Sequence, residues 1–119
     1  MSSAKLRWAI SLAFILCTSE AFAHVHLKKS TPAEGAVLQS APSQIVLTFS
    51  EPALVTALSI QQAGKAKQSL GPLPTEAAQT LTVASPGLTA GSYVVTWRAV
   101  SPDKHVMSGT LHFRVGSAG

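Results

Sequence analysis

Beyond its first two dozen positions, the 119-residue chain alternates apolar and polar residues with a period of two. Ile45, Leu47 and Phe49 alternate with Val46 and Thr48, Leu58 and Ile60 with Ser59, and Leu81 and Val83 with Thr82. Tyr93, Val95, Trp97 and Ala99 alternate with Val94, Thr96, Arg98 and Val100, and Leu111, Phe113 and Val115 with Thr110, His112 and Arg114. Neighbouring side chains of a strand point to opposite faces, so each segment predicts a strand with one core face. Turn chemistry punctuates the chain at Thr31 to Gly35, Ala41 to Ser43, Glu51-Pro52, Ala63-Gly64, Gly71 to Pro74, Ser85 to Gly87, Ala90 to Ser92, Ser101 to Asp103 and Ser108-Gly109. No stretch of ten residues here keeps helical spacing without a Pro or Gly. Short strands with a turn every 8–12 residues or so predict an all-β domain, a Greek-key sandwich or barrel. No internal repeat is visible. Gln61 to Gln79, with its Lys, Gln, Pro and Gly, is the longest stretch without a clear strand and predicts a mobile connection.

The first residues read differently. Lys5 and Arg7 precede an apolar run from Trp8 to Cys17, and Ala21-Phe22-Ala23 supplies small residues at a cleavage site, so 1–23 read as a secretory signal peptide. The apolar run of ten residues is well short of the ~20 that span a bilayer as a helix, which argues against a membrane anchor. The working domain is then 24–119, with His24 as its first residue. Cys17 is the sole cysteine and lies inside the apolar run, so the working domain has no disulfide, thiolate metal ligand or cysteine nucleophile. Its stability must come from its core.

Size and charge narrow the function. A chain of 96 residues buries only roughly 60–68% of its unfolded surface, which suits one modest core and excludes large cofactor-binding folds. Residues 24–119 carry seven Lys and Arg against Glu34, Glu51, Glu76 and Asp103, a net charge of 7 − 4 = +3. The cations are scattered, with Lys28-Lys29 the one adjacent pair, so the clustered basic stripe of a nucleic-acid binder is not there. Hydrolytic catalysis has no Gly-x-Ser-x-Gly elbow, and Asp103 is the sole aspartate.

The candidate chemistry lies in the histidines. Cleavage after Ala23 gives His24 a free α-amine beside its imidazole, a chelate that needs no fold to form. The amine has a reference pKa of about 7.7–8.0, so a metal must displace its proton and binding weakens as pH falls. Asp103 and His105, in the loop between two strongly patterned strands, can place a carboxylate and an imidazole on one side. One amine, two imidazoles and one carboxylate make an N3O set, which with no thiolate suits tetragonal Cu(II) better than structural zinc. His26 offers a rival mode, in which Cu(II) is wrapped by the amine, two deprotonated backbone amides and the third-residue imidazole. A first strand through Val25 and Leu27 would commit their amides to a ladder and make the wrap costly. The favoured ligands are therefore His24, Asp103 and His105, with His26 a neighbour or an alternative. His112 alternates with core residues and reads as a surface histidine. Met107, the sole methionine after the leader, reads as a loop residue packing on the core; one thioether cannot build a Cu(I) nest.

Several segments together resemble the CopC family of periplasmic copper-binding proteins, including its YobA-like branch. They are His24-Val25-His26-Leu27, Ser30 to Gly35, Leu47-Thr48-Phe49-Ser50-Glu51, Leu88 to Tyr93, Trp97-Arg98-Ala99-Val100-Ser101 and Asp103-Lys104-His105 with Gly109 following. The resemblance covers nearly all of 24–119. It implies a Greek-key β-barrel of cupredoxin-like or Ig-like shape, a soluble monomer in the periplasm, and a site for one Cu(II) ion made by the amine and side chain of His24, the carboxylate of Asp103 and the imidazole of His105. Gln61 to Gln79 departs from members with a Met-rich loop, having neither Met nor His, so the likeness is to Cu(II)-only members. That implies a carrier or buffer in copper homeostasis or resistance, delivering to an inner-membrane copper transporter, and not an enzyme. Glu51 reads either as a group hydrogen-bonding near the site or as a turn carboxylate before Pro52.

Two other functions fit parts of the sequence. An N-terminal His with a second His also resembles the copper brace of polysaccharide monooxygenases. The four aromatics of the working domain, Phe49, Tyr93, Trp97 and Phe113, all fall at core positions, which leaves no platform for a sugar chain. Asp103 as a ligand would also fill a position that oxygen activation needs open. The remaining alternative is a metal-free Ig-like interaction module, which added Cu(II) would not stabilise.

Overall fold

A computed structural model describes residues 25–116; residues 1–23, expected to be a signal peptide, and His24 lie outside the described residues. Seven strands follow one another: β1 (Leu27–Thr31), β2 (Ala36–Leu38), β3 (Gln44–Gln62), β4 (Lys67–Ser69), β5 (Ala78–Ala84), β6 (Gly91–Val100) and β7 (Val106–Val115). No helix among the described residues is long and apolar enough to cross a membrane.

The 19-residue β3 organises the fold. Its first half runs antiparallel between β1 and β5, with Val46 opposite both Thr31 and Thr82. Its second half runs antiparallel between β4 and β6, with Ser59 opposite both Ser69 and Thr96. The sheet continues through β7 to β2, which joins β7 in parallel through Ala36 and Phe113. One strand thus belongs to two curled layers, and the expected Greek-key β-barrel or sandwich is the observed architecture.

Physical reasons for the long strand are visible in its residues. Glu51-Pro52, expected as a turn, lies instead inside β3, where pairing with β5 stops at Thr48 and resumes at Ala53. Proline has no N–H to donate, and in that gap it costs no ladder bond on that side. Further on, a register shift between Val55 and Ala57 inserts an extra residue. It moves the buried set from odd positions (Ile45, Leu47, Phe49, Ala53, Val55) to even ones (Leu58, Ile60).

The two halves enclose one core. Ile45, Leu47, Phe49, Val95 and Ala99 are fully buried, and Leu111 nearly so. Phe49 meets Trp97 edge to face at 5.3 Å, and Tyr93 stacks on Phe113 at 5.4 Å. The Tyr93 hydroxyl donates to the Thr89 carbonyl at 2.5 Å, tying the start of β6 to the loop before it in the manner of a tyrosine corner. Ser108-Gly109, also expected as a turn, lies inside β7 opposite Arg98 and Trp97. The glycine is there for space: a Cβ at Gly109 would fall 2.7 Å from Trp97 Cζ2.

Gln61 to Gln79 corrects the expectation of a structureless connection. β3 extends to Gln62, β4 pairs Lys67–Ser69 with Gln61–Ser59, and β5 begins at Ala78. The alternation test fails on β4 because all three residues are exposed, and the segment is tied down by Leu70, which is buried and donates its amide to the Leu58 carbonyl at 2.9 Å.

Candidate metal centre

β6 and β7 end with Val100 opposite Val106, and residues 101–105 connect them. A buried serine closes the connection. The Ser101 amide donates to the His105 carbonyl at 2.9 Å and the Lys104 amide to the Ser101 carbonyl at 2.9 Å. The Ser101 hydroxyl accepts from the His105 amide at 3.1 Å and donates to the Asp103 carboxylate through Oδ1. Lys104 takes φ of 73°, the left-handed region, where the chain reverses between Asp103 and His105. Those two side chains consequently face each other, with His105 Nδ1 3.3 Å from Asp103 Oδ2 and each about two-thirds exposed.

The electrostatics favour an anionic, proton-free Asp103. The Ser101 hydroxyl holds its carboxyl below the ordinary carboxylate range; partial desolvation opposes this, and the charge of His105 adds to it. Nδ1 and Oδ2 are also well spaced to share one ion. With metal–ligand bonds of ~2.0 Å, cis donors at a right angle sit about 2.8 Å apart, so the pair needs to close by only about half an ångström. A polar loop side chain holds two candidate ligands before any metal arrives.

Ser101 is the residue that pattern reading missed. Its signal lay in Ser101-Pro102-Asp103, since a serine opening a turn can bind the loop backbone through its hydroxyl. Ser50 was missed likewise. Its amide donates to the His26 carbonyl at 2.8 Å, and its hydroxyl accepts from the His26 amide at 3.0 Å.

That second bond bears on the wrapped mode. The wrap would deprotonate the amides of Val25 and His26, yet the His26 amide is engaged by Ser50, and the Val25 side chain is buried in the core. β1 begins at Leu27, so a side chain from β3, and not a ladder partner of Val25, holds the backbone here. His26 itself is exposed.

His26 and the root of the 101–105 loop are held at nearby positions of β3. His26 is held at Ser50, and Val100, the root of the 101–105 loop, pairs with Leu54. Four residues of strand span about 13 Å. His24 lies outside the described residues, and among those described no group of three or more His, Cys, Asp or Glu converges on a point. Glu51 is exposed at the bend of β3.

The other candidates sit elsewhere. His112 projects from β7 away from the core as expected, with its amide donating to Glu34 Oε1 at 2.9 Å and Nδ1 3.2 Å from Glu34 Oε2. Met107 is on β7 opposite Ala99, not in the loop, because β7 starts at Val106; it is partly buried against the core.

Comparison with known proteins adds to this geometry. A family model described as the CopC domain matches residues 27–116. The chain is 40% identical over 113 residues to copper resistance protein C of Pseudomonas syringae pv. tomato, covering 85% of this chain and 87% of that one. It is 32% identical over 117 residues to the copper transport protein CutJ of Bacillus subtilis strain 168, covering 93% of this chain but 22% of that longer protein. Among solved structures, CopC from Methylosinus trichosporium OB3b superposes with a TM-score of 0.67 at 25% identity, covering 81% of this chain and 97% of that one.

Proposed function

This chain belongs to the CopC family, and on that premise we propose that it is a periplasmic Cu(II) carrier or buffer acting in copper homeostasis or resistance. The observation that carries the reading is the Asp103–His105 pair, held face to face at 3.3 Å on a serine-locked loop. Residues 1–23 direct export and are removed. One Cu(II) is then bound by the amine and imidazole of His24, the Asp103 carboxylate and the His105 imidazole. His24 is bonded to Val25, whose neighbour His26 is anchored at Ser50, four residues along β3 from Leu54, the partner of Val100 at the root of the loop.

The metal is cargo. The loop presents its donors at the surface, where an ion can be taken up and handed on. The protein is not an enzyme in this reading: all four aromatics of the described domain are buried, so no sugar-stacking surface accompanies the metal loop. The receiver is an inner-membrane copper transporter. The match of this whole domain to about a fifth of a longer copper transport protein supports that pairing.

The test is a Cu(II) titration of the exported chain, its N-terminus established by mass spectrometry, read by electron paramagnetic resonance. One tight site is expected, lost or rearranged by one extra residue ahead of His24 and also by His105→Ala. If the extension abolishes the site while His105→Ala leaves it intact, the wrap through His26 is the ligand set. If neither change matters, the copper reading falls and a metal-free module takes its place.

A further inference from the structure

The outward face of the sheet formed by β4, β3, β6 and β7 carries a feature the copper site does not use. Ser69, Ser59, Thr96 and Thr110 stand directly opposite one another across the four strands, so their hydroxyls form one continuous row. Strands lie ~4.8 Å apart, which makes the row about 14 Å long. On one side of it Lys67 pairs with Gln61; on the other, Arg98 lies between Ala57 and Ser108. A groove of about 540 Å³ lies over Ser69, Ser59 and Thr96 of this row and over both cations, with buried Leu70 and half-buried Leu73 in its wall.

Both cations are exposed, and among the described residues no carboxylate lies within salt-bridge distance of either. The acidic residues are elsewhere: Asp103 in the loop, Glu51 at the bend, Glu76 before β5 and Glu34 against His112. A concave strip with a cation on each side, lined by groups that both donate and accept hydrogen bonds, is complementary to an extended chain bearing carboxylates. We infer that this groove is a docking surface for an acidic, extended segment of a protein partner.

A bilayer is a poorer match. Interfacial binding needs apolar side chains that insert, and the large hydrophobics most exposed among the described residues, Val37 and Val106, do not line the groove. The Arg98–Ser108 pair lies two steps in register from Val100–Val106, where the 101–105 loop begins. A docked segment is thereby brought beside the metal loop. Its use in copper transfer rests on the metal-site reading above, whereas the docking itself does not.

The test is a nitrogen-15 NMR titration of the exported, metal-free chain with a hexaglutamate peptide, with hexaserine as control and phosphatidylglycerol vesicles as a separate arm. Shifts are expected at Ser59, Lys67, Thr96, Arg98 and Ser108 with hexaglutamate only, weakening by roughly tenfold as salt rises toward ~0.15 M. Lys67→Glu combined with Arg98→Glu should abolish them, and Arg98→Gln alone should weaken them, while the Cu(II) titration of both variants matches the parent. Equal response to hexaserine, shifts centred on Lys28 and Lys29, or vesicle binding without peptide shifts would each overturn the inference. A parent chain that shows no tight Cu(II) site but keeps the peptide response would overturn the copper reading alone.

Discussion

The indole of Trp97 occupies the volume that a side chain on Gly109 would need, with Cζ2, Cε2 and Nε1 at 2.7, 2.9 and 3.0 Å from the position of an added Cβ. The indole cannot easily move away, because Phe49 packs edge-on against it at 5.3 Å. Gly109→Ala would gain about 0.5–1 kcal/mol from reduced backbone freedom in the unfolded chain. Overpacking costs about 1–3 kcal/mol, and at separations this short it wins. The expected result is a lower urea midpoint, with near-ultraviolet dichroism showing a displaced tryptophan. A variant as stable as the parent would show that the indole has room the packing denies it.

Tyr93→Phe keeps the ring stacked on Phe113 and removes only the hydroxyl bond to the Thr89 carbonyl. The carbonyl loses its partner in a partly buried place, so the expected loss is about 1–3 kcal/mol in chemical denaturation. The Cu(II) spectrum should be unchanged, since Tyr93 and the preceding loop with Thr89 lie at the opposite end of β6 from the 101–105 loop. A stability change below a few tenths of a kcal/mol would mean that water replaces the bond freely.

Ser101→Ala removes the hydroxyl that holds the Asp103 carboxylate and the His105 amide. Groups that orient metal ligands are typically worth 10–100-fold in affinity, so a loss of about tenfold or more in Cu(II) competition titrations is expected. The spectrum should keep the same donor set. Ser101→Thr restores the hydroxyl and should recover most of the affinity. Unaltered affinity in the alanine variant would show that the backbone alone shapes the loop.

Asp103 also has a pH signature. Its carboxyl is held below the ordinary range, first by the Ser101 hydroxyl, so the folded chain binds this proton more weakly than the unfolded chain does. The resulting stability is present above the unfolded carboxylate pKa and is lost as pH falls through the folded value. The side chain is 66% exposed, which keeps the contribution small. Asp103→Asn should therefore unfold more easily than the parent near neutrality and converge with it in strong acid. Carbon-13 NMR of the carboxyl should show the midpoint moving upward in Ser101→Ala; a midpoint already in the ordinary range in the parent would refute the account.

How far the sequence carried the reading depended on what kind of order each element uses. Alternation located β3, β5, β6 and β7 because their inner faces, such as Ile45, Leu47 and Phe49 or Leu111, Phe113 and Val115, are all buried. It could not find β4, whose three residues are all exposed, or β2, whose Ala36–Leu38 is held by parallel pairing with β7 from far along the chain. Pro52 and Gly109 look like turn residues, and only tertiary context makes one a bend within a strand and the other a seat for an indole. At the candidate metal centre, residue types pointed to Asp103 and His105. The roles of Ser101 and Ser50 depend on hydroxyl geometry that no spacing rule encodes.

β3 passes through both curled layers without a break, and that has a bearing on how the domain comes apart. If each layer had its own strands, one could melt while the other stayed folded. Here the residues that pair with β1 and β5 continue directly into those that pair with β4 and β6. Fraying of either layer frees the end of the other's central strand. The domain should therefore open as a single cooperative unit, its slowest-exchanging amides spread along both halves of β3 and sharing one opening free energy.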